Sequence, residues 1–124
     1  MERKTRQRDA IEKVFLREGR PLSTLEVLLN AQEFLPTLSQ ATVYRALKSL
    51  LEEKWLTTVE VPGLPTFYEI DHHHHHHHFH CETCSKIFEV EGCTAVDALT
   101  PPGFTLHSHE IILWGICSGC QSPK

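Results

Sequence analysis

Four of the five cysteines stand as two close pairs, Cys81-Glu-Thr-Cys84 and Cys117-Ser-Gly-Cys120, with 32 residues between the pairs. A two-residue gap lets both sulfurs of one turn face the same ion, and two such turns complete a tetrahedral thiolate shell. A thioredoxin-type redox motif needs one such pair at a helix start, whereas each pair here borders strand-like sequence. Disulfides are the weaker alternative in a chain without an export signal. The spacing therefore predicts a closed structural Zn2+ site, which contributes folding energy and leaves no open position for catalysis. Cys93 is left over and reads as a small buried apolar side chain.

All ten histidines lie in the second half, seven of them in the run His72–His78. In an extended strand His74, His76, His78 and His80 share one face, and His73, His75 and His77 the other. Two faces permit two metal sites. Candidate partners are Glu69, Asp71, Glu89, Glu91, His107 and His109, because mixed imidazole and carboxylate shells suit Zn2+, Fe2+, Mn2+ or Ni2+. His76 and His78 are the expected ligands within the run, while His72 and His73 read as solvent-exposed filler. FTLHSHEIILWGIC, which carries His107 and His109, reads as a long β-type run leading into the second cysteine pair.

The elements that must position these groups follow from periodicity. Residues from about Arg6 to Glu18 place Ile11, Val14 and Phe15 at helical spacing, with Gly19 as a stop. Ser23 and Glu26 form a capping-box pattern that opens a second helix, which fades before Pro36. Ser39 can cap a third helix whose Val43, Leu47, Leu50 and Leu51 make one apolar stripe. Gln40, Thr42, Tyr44, Arg45 and Lys48 lie off that stripe. TTVEVPGLPTFYEI then reads as two strands around Pro62-Gly63-Leu64-Pro65. Three short helices and a two-stranded ribbon make a winged helix-turn-helix, with the third helix as the one that enters a major groove. A small helical bundle that binds protein fits the same pattern.

Charge divides along the same line. Residues 1–60 carry a net +1, residues 61–124 a net −5, and residues 1–20 a local +3. The chain total of −4 thus averages a slightly basic module, able to meet an anion, with an acidic module built for cations. Hydrophobic content of 40% and charged content of 23% exclude a disordered chain. No apolar run approaches the ~20 residues of a membrane helix, and MERKTRQRD lacks the apolar core of an export signal, so a cytoplasmic protein without membrane contact is expected. An enzyme is not expected: H-E-x-x-H and a nucleophile elbow are both absent, and two small modules leave little room for a substrate pocket. Metal storage or chaperoning would account for the histidine run but not for the first half.

With TRQRDAI, LSQATVYRALKSL, HHHFHCETCSKIFEV and HSHEIILWGIC-x2-C in this order, the chain resembles the Fur family of metal-responsive transcriptional regulators over nearly its whole length. The resemblance implies an α+β protein: an N-terminal winged helix-turn-helix DNA-binding domain over 1–70, and a small C-terminal α/β dimerisation domain with antiparallel strands over 71–124. It implies a homodimer on palindromic double-stranded operator DNA. By position, Cys81, Cys84, Cys117 and Cys120 match the structural zinc ligands, and Tyr44 and Arg45, with Thr42 alongside, the DNA-reading residues. Glu69, His76, His78 and Glu89 match the interdomain sensing site, with Asp71 or Cys93 available to complete it. His75, His77 and His109 match a second site in the dimerisation domain, to which His107 is close in sequence. Leu22 stands where a further sensing histidine is often found, which hurts a four-coordinate Zn2+ shell least. A zinc-responsive repressor of metal-homeostasis genes is therefore expected ahead of iron-, manganese- or peroxide-responsive ones. Only Gly92–Gly103 separates two strand regions where the family carries a long helix, so at most a short helix around Thr94–Leu99 is expected.

Overall fold

The structure, a computed structural model, describes residues 2–72, 76–92 and 96–121; the side chains of residues 2–5, 96 and 97 lie outside the description. The chain divides into two compact units, residues 1–73 and 74–124. Among the described residues, no helix is long and apolar enough to cross a membrane.

The first unit runs α1 (Glu2–Glu18), β1 (Leu22–Ser23), α2 (Thr24–Ala31), α3 (Gln40–Glu52), β2 (Leu56–Val59) and β3 (Phe67–Ile70). Helix α1 begins four residues before the apolar periodicity does, because its first turn is polar. It ends where Gly19, at φ +62°, bonds back to the Phe15 carbonyl at 3.0 Å. Ser23 caps α2 through the complete capping box: its Oγ accepts from the Glu26 N–H at 3.2 Å, and Glu26 accepts from the Ser23 N–H at 3.1 Å. Two orphan donors are satisfied at once. Ser39 caps α3 by accepting from the Thr42 N–H.

The apolar stripe of α3 lands in the core. Val43, Leu47 and Leu50 are buried against Ile11, Val14, Phe15, Leu22, Val27, Ala31, Leu38 and Leu56, while Leu51 is only half-buried beside them. The Trp55 ring stands edge-on to Phe15 at 6.2 Å. The hairpin forms as the turn residues predict, with Leu56 opposite Ile70 and Val59 opposite Phe67. It also gains a third strand that periodicity could not announce, since β1 is two residues long and pairs Leu22 with Tyr68. Helix α3 stops at Lys54, which takes φ +63° so that the Trp55 N–H reaches the Leu50 carbonyl and the Lys54 N–H the Leu51 carbonyl. This is a Schellman ending, normally occupied by glycine.

The second unit is a three-stranded sheet in the order β5-β4-β6, from β4 (His77–Cys81), β5 (Ile87–Val90) and β6 (Ile112–Gly115). Strand β4 pairs antiparallel with β5, as expected, and also parallel with β6, so the sheet is mixed. The expected long β-run shrinks to Ile112–Gly115: residues 104–111 are irregular, and a Pro-Pro-Gly turn precedes them. Between β5 and β6 the described helix is a single 3-10 turn, Val96–Leu99; Thr94 and Ala95 lie outside the described residues. Gly115 leaves room for the Phe79 ring, whose edge a Cβ there would meet at 3.0 Å.

Two stability changes of opposite sign test this packing. Leu47→Ala is expected to cost about 2–5 kcal/mol through the cavity it leaves. Lys54→Gly is expected to gain about 0.5–1 kcal/mol by relieving the left-handed backbone. Urea unfolding of the first unit, followed by Trp55 fluorescence, measures both. A Lys54→Gly loss would contradict the assigned helix ending.

Candidate metal centre and nucleic-acid interface

The hairpin between β4 and β5 starts at Cys81, whose N–H bonds to the Lys86 carbonyl and whose carbonyl accepts from the Ser85 N–H. That tight turn, with Ser85 at φ +66°, brings Cys84 back beside Cys81. Parallel pairing sets Gly115 opposite Cys81, so the chain leaving β6 delivers Cys117 to the same end of the sheet. A short 3-10 turn, Ser118–Cys120, then returns Cys120. All four sulfurs lie within 4.8 Å of one another. The Cys84 and Cys117 sulfurs are 3.8 Å apart, and a tetrahedral ion with ~2.3 Å bonds to sulfur requires about 3.8 Å between sulfurs. The thiols are unpaired as disulfides. The residues fit a closed tetrahedral metal site.

The backbone prepares the cluster for charge. Cys84 and Cys117 donate their N–H groups to the Cys81 sulfur at 3.4 and 3.3 Å, which holds the buried Cys81 thiol down at about 6. Cys120 moves the other way, pushed up to about 12 by its contact with the Cys117 sulfur and by burial. One thiolate is easily formed at Cys81 and Cys120 resists a second, which is what close sulfurs do until a cation arrives.

At the opposite end of β4, His76 Nδ1 lies 2.9 Å from Glu89 Oε2, with both side chains largely buried. A proton on Nδ1 shared with the carboxylate leaves Nε2 with its lone pair, the tautomer a metal ligand needs. His78 stands directly across from Glu89 on the ladder. In the first unit, Glu69 is in β3 opposite Thr57, and the Asp71 N–H bonds to the Trp55 carbonyl at 2.9 Å.

The second histidine group is drawn together only in part. His75 lies outside the described residues, and His107 is exposed on irregular chain. His77 is buried with its ring centroid 5.1 Å from that of His109. Its Nδ1 accepts the Ile111 N–H at 3.1 Å. That bond occupies the Nδ1 lone pair, so a neutral His77 carries its proton on Nε2 and meets its surroundings as a donor. Cys93, the fifth cysteine, lies outside the described residues. The residue that the sequence reading left out of every site is His80. It shares a face with His76 and His78, and it is buried.

Helix α3 separates its two faces cleanly. Gln40, Tyr44, Arg45 and Lys48 are exposed and Thr42 is half-buried, while Val43, Leu47 and Leu50 face the core. Arg45 donates to Thr42 Oγ1 at 3.1 Å, and Ser39 Oγ donates to the same oxygen at 3.0 Å. The guanidinium is thereby held against the first turn of the helix. The Arg8 guanidinium grips the Glu53 carboxylate through both of its terminal nitrogens, tying α1 to the end of α3.

A model of the Ferric uptake regulator family matches residues 2–114, and the chain belongs to that family. The ferric uptake regulation protein of Campylobacter jejuni is 29% identical over 126 residues, covering 97% of this chain and 80% of that protein. The ferric uptake regulator of Helicobacter pylori, whose structure is described as having three functional metal binding sites, superposes with a TM-score of 0.69 at 27% identity. That match covers 95% of this chain and 81% of that one. FurB of Mycobacterium tuberculosis, a zinc uptake regulator, is 31% identical, covers 96% and 95%, and gives a TM-score of 0.54. The chain is thus a metal-responsive transcription regulator of a family whose members bind DNA rather than catalyse reactions.

Proton release supplies a test of the cysteine cluster. Each thiol must lose its proton to bind a metal, and Cys120, held near 12, releases one across the whole neutral range. Each released proton makes affinity fall tenfold per pH unit of acidification. Zinc affinity is expected to drop at least about 100-fold between pH 7.5 and 5.5 in competition with a chelator. A pH-independent affinity would contradict thiolate ligation.

Proposed function

We propose that the chain is a zinc-responsive, homodimeric repressor that binds palindromic operator DNA through α3 when a second divalent ion is loaded. The observation that carries the DNA reading is the division of α3 into a buried stripe and an exposed row of Gln40, Tyr44, Arg45 and Lys48. An arginine and a polar aromatic on the open face of a capped helix can reach guanine edges and phosphates. Thr42 contributes by orienting Arg45.

Zn2+ at Cys81, Cys84, Cys117 and Cys120 is the structural ion of this reading. Glu69, Asp71, His76, His78 and Glu89 are the regulatory ligands. Drawing them from both units makes metal loading favour one arrangement of the units, by as much as the ion's differential affinity for it. Leu22, buried in the first core, cannot supply the extra ligand that six-coordinate Fe2+ or Mn2+ would use, and FurB, at 31% identity, is a zinc uptake regulator. The second reading is an iron-responsive regulator, favoured by the likeness to the Campylobacter and Helicobacter ferric regulators. Dimerisation is supported by the second unit's exposed Leu99, Phe104, Leu106, Leu113, Trp114 and Ile116 and by β6 at the outer edge of its sheet. Such an edge and apolar surface call for a partner. The cytoplasm is the matching compartment.

The test uses duplexes selected from a random library by the metal-loaded protein. With the cysteine zinc in place, added Zn2+ is expected to tighten binding at least about tenfold, a coupling of ~1.4 kcal/mol. Arg45→Ala is expected to weaken it by about 1–3 kcal/mol and relax sequence preference. Equal affinity with and without the second ion would overturn the co-repressor reading, and an unchanged Arg45→Ala would overturn the assignment of α3.

A further inference from the structure

His80 sits in the middle of β4, opposite Ile87 on β5 and Trp114 on β6. It is only 9% exposed, and both of its ring nitrogens are sealed from solvent without a hydrogen-bond partner among the described residues. A neutral imidazole has one N–H and one lone pair, and stranding each costs about 1–3 kcal/mol. With isoleucine and tryptophan as its directly opposed neighbours, an aliphatic residue of similar size would avoid the cost altogether. The imidazole is retained at a position where packing does not call for one.

Coordination removes that penalty. A neutral imidazole buried near a divalent ion gives it a lone pair, and this is the commonest protein ligand for such ions. His78 is two residues away on the same face of β4, so their Cα atoms are about 6.4–6.8 Å apart. Two imidazoles at that spacing can reach one ion at Zn–N distances of ~2.0–2.1 Å. Glu89, directly opposite His78, puts a carboxylate on the same face.

We propose that His80 is a ligand of the regulatory ion, forming with His78 a His-x-His chelate on the β4 face that also carries Glu89. The proposal rests on the reading that a second ion binds this chain. It adds a nitrogen donor that belongs wholly to the second unit, and it shifts the shell toward imidazole and hence toward Zn2+ over Mn2+.

His80→Leu tests it, because leucine removes the stranded polar atoms while keeping the volume. In protein carrying its cysteine-bound zinc, a chelator competition with Zn2+ should show affinity for the second ion reduced at least about tenfold. Co2+ bound at the same site should change its visible spectrum. If His80→Leu binds the second Zn2+ as tightly as the parent, His80 is a core residue and the proposal is wrong, while the proposed function stands. If the parent protein takes up no second ion, both fall together. Should His80→Leu fail to fold, the ring nitrogen resonances of His80 in the unaltered protein decide: a shift of one nitrogen on Zn2+ titration supports ligation, and unchanged resonances at saturation overturn it.

Discussion

The convergence of four thiols is the constraint on which the second unit depends. Among its described residues, the fully buried apolar side chains are Cys81 and Ile87, joined by the buried histidines His77 and His80. So small an apolar core does not offset the entropy of ordering a unit of about fifty residues. A metal bound by thiolates does, because its binding free energy is folding free energy. The ladder explains how the sulfurs meet. Antiparallel β4–β5 pairing closes one cysteine turn, and parallel β4–β6 pairing carries the other pair to the same end. A purely antiparallel sheet would have delivered Cys117 and Cys120 to the wrong end.

The first unit is built on the opposite principle. Eleven buried apolar residues from three helices, two of its strands and the α2–α3 connection form one core, helped by two serine caps and a left-handed helix ending. Its packing rests on that apolar core rather than on a thiolate cluster, which suits an element that presents α3. The division of labour follows the charge split in the sequence: a slightly basic module with its own apolar core and an acidic module whose four thiols could hold a cation. The carboxylates and histidines at the far end of β4 are therefore carried by a sheet whose geometry the cysteine cluster sets.

Local chemistry made much of this legible. Ser23-x-x-Glu26 and Ser39 announced two helix starts, the stripe of Val43, Leu47 and Leu50 announced which face of α3 is buried, and the C-x2-C spacing announced the cluster. What stayed hidden was non-local. β1 is a strand only because Leu22 pairs with Tyr68. Residues 104–111 have strand-like composition but no ladder to join, since β6 meets β4 only from Ile112 onward. Alternation correctly put His80 on the face of His76 and His78, but its burial without partners depends on the flanking Ile87 and Trp114, which no spacing rule supplies.

Residue-resolved hydrogen exchange before and after removal of the cysteine-bound metal tests the central dependence most directly. The account predicts that amides of His77–Cys81, Ile87–Val90 and Ile112–Gly115 lose their protection when the metal is stripped, while α1 and α3 keep theirs. Strand amides of the second unit that stay protected in the metal-free protein would contradict it.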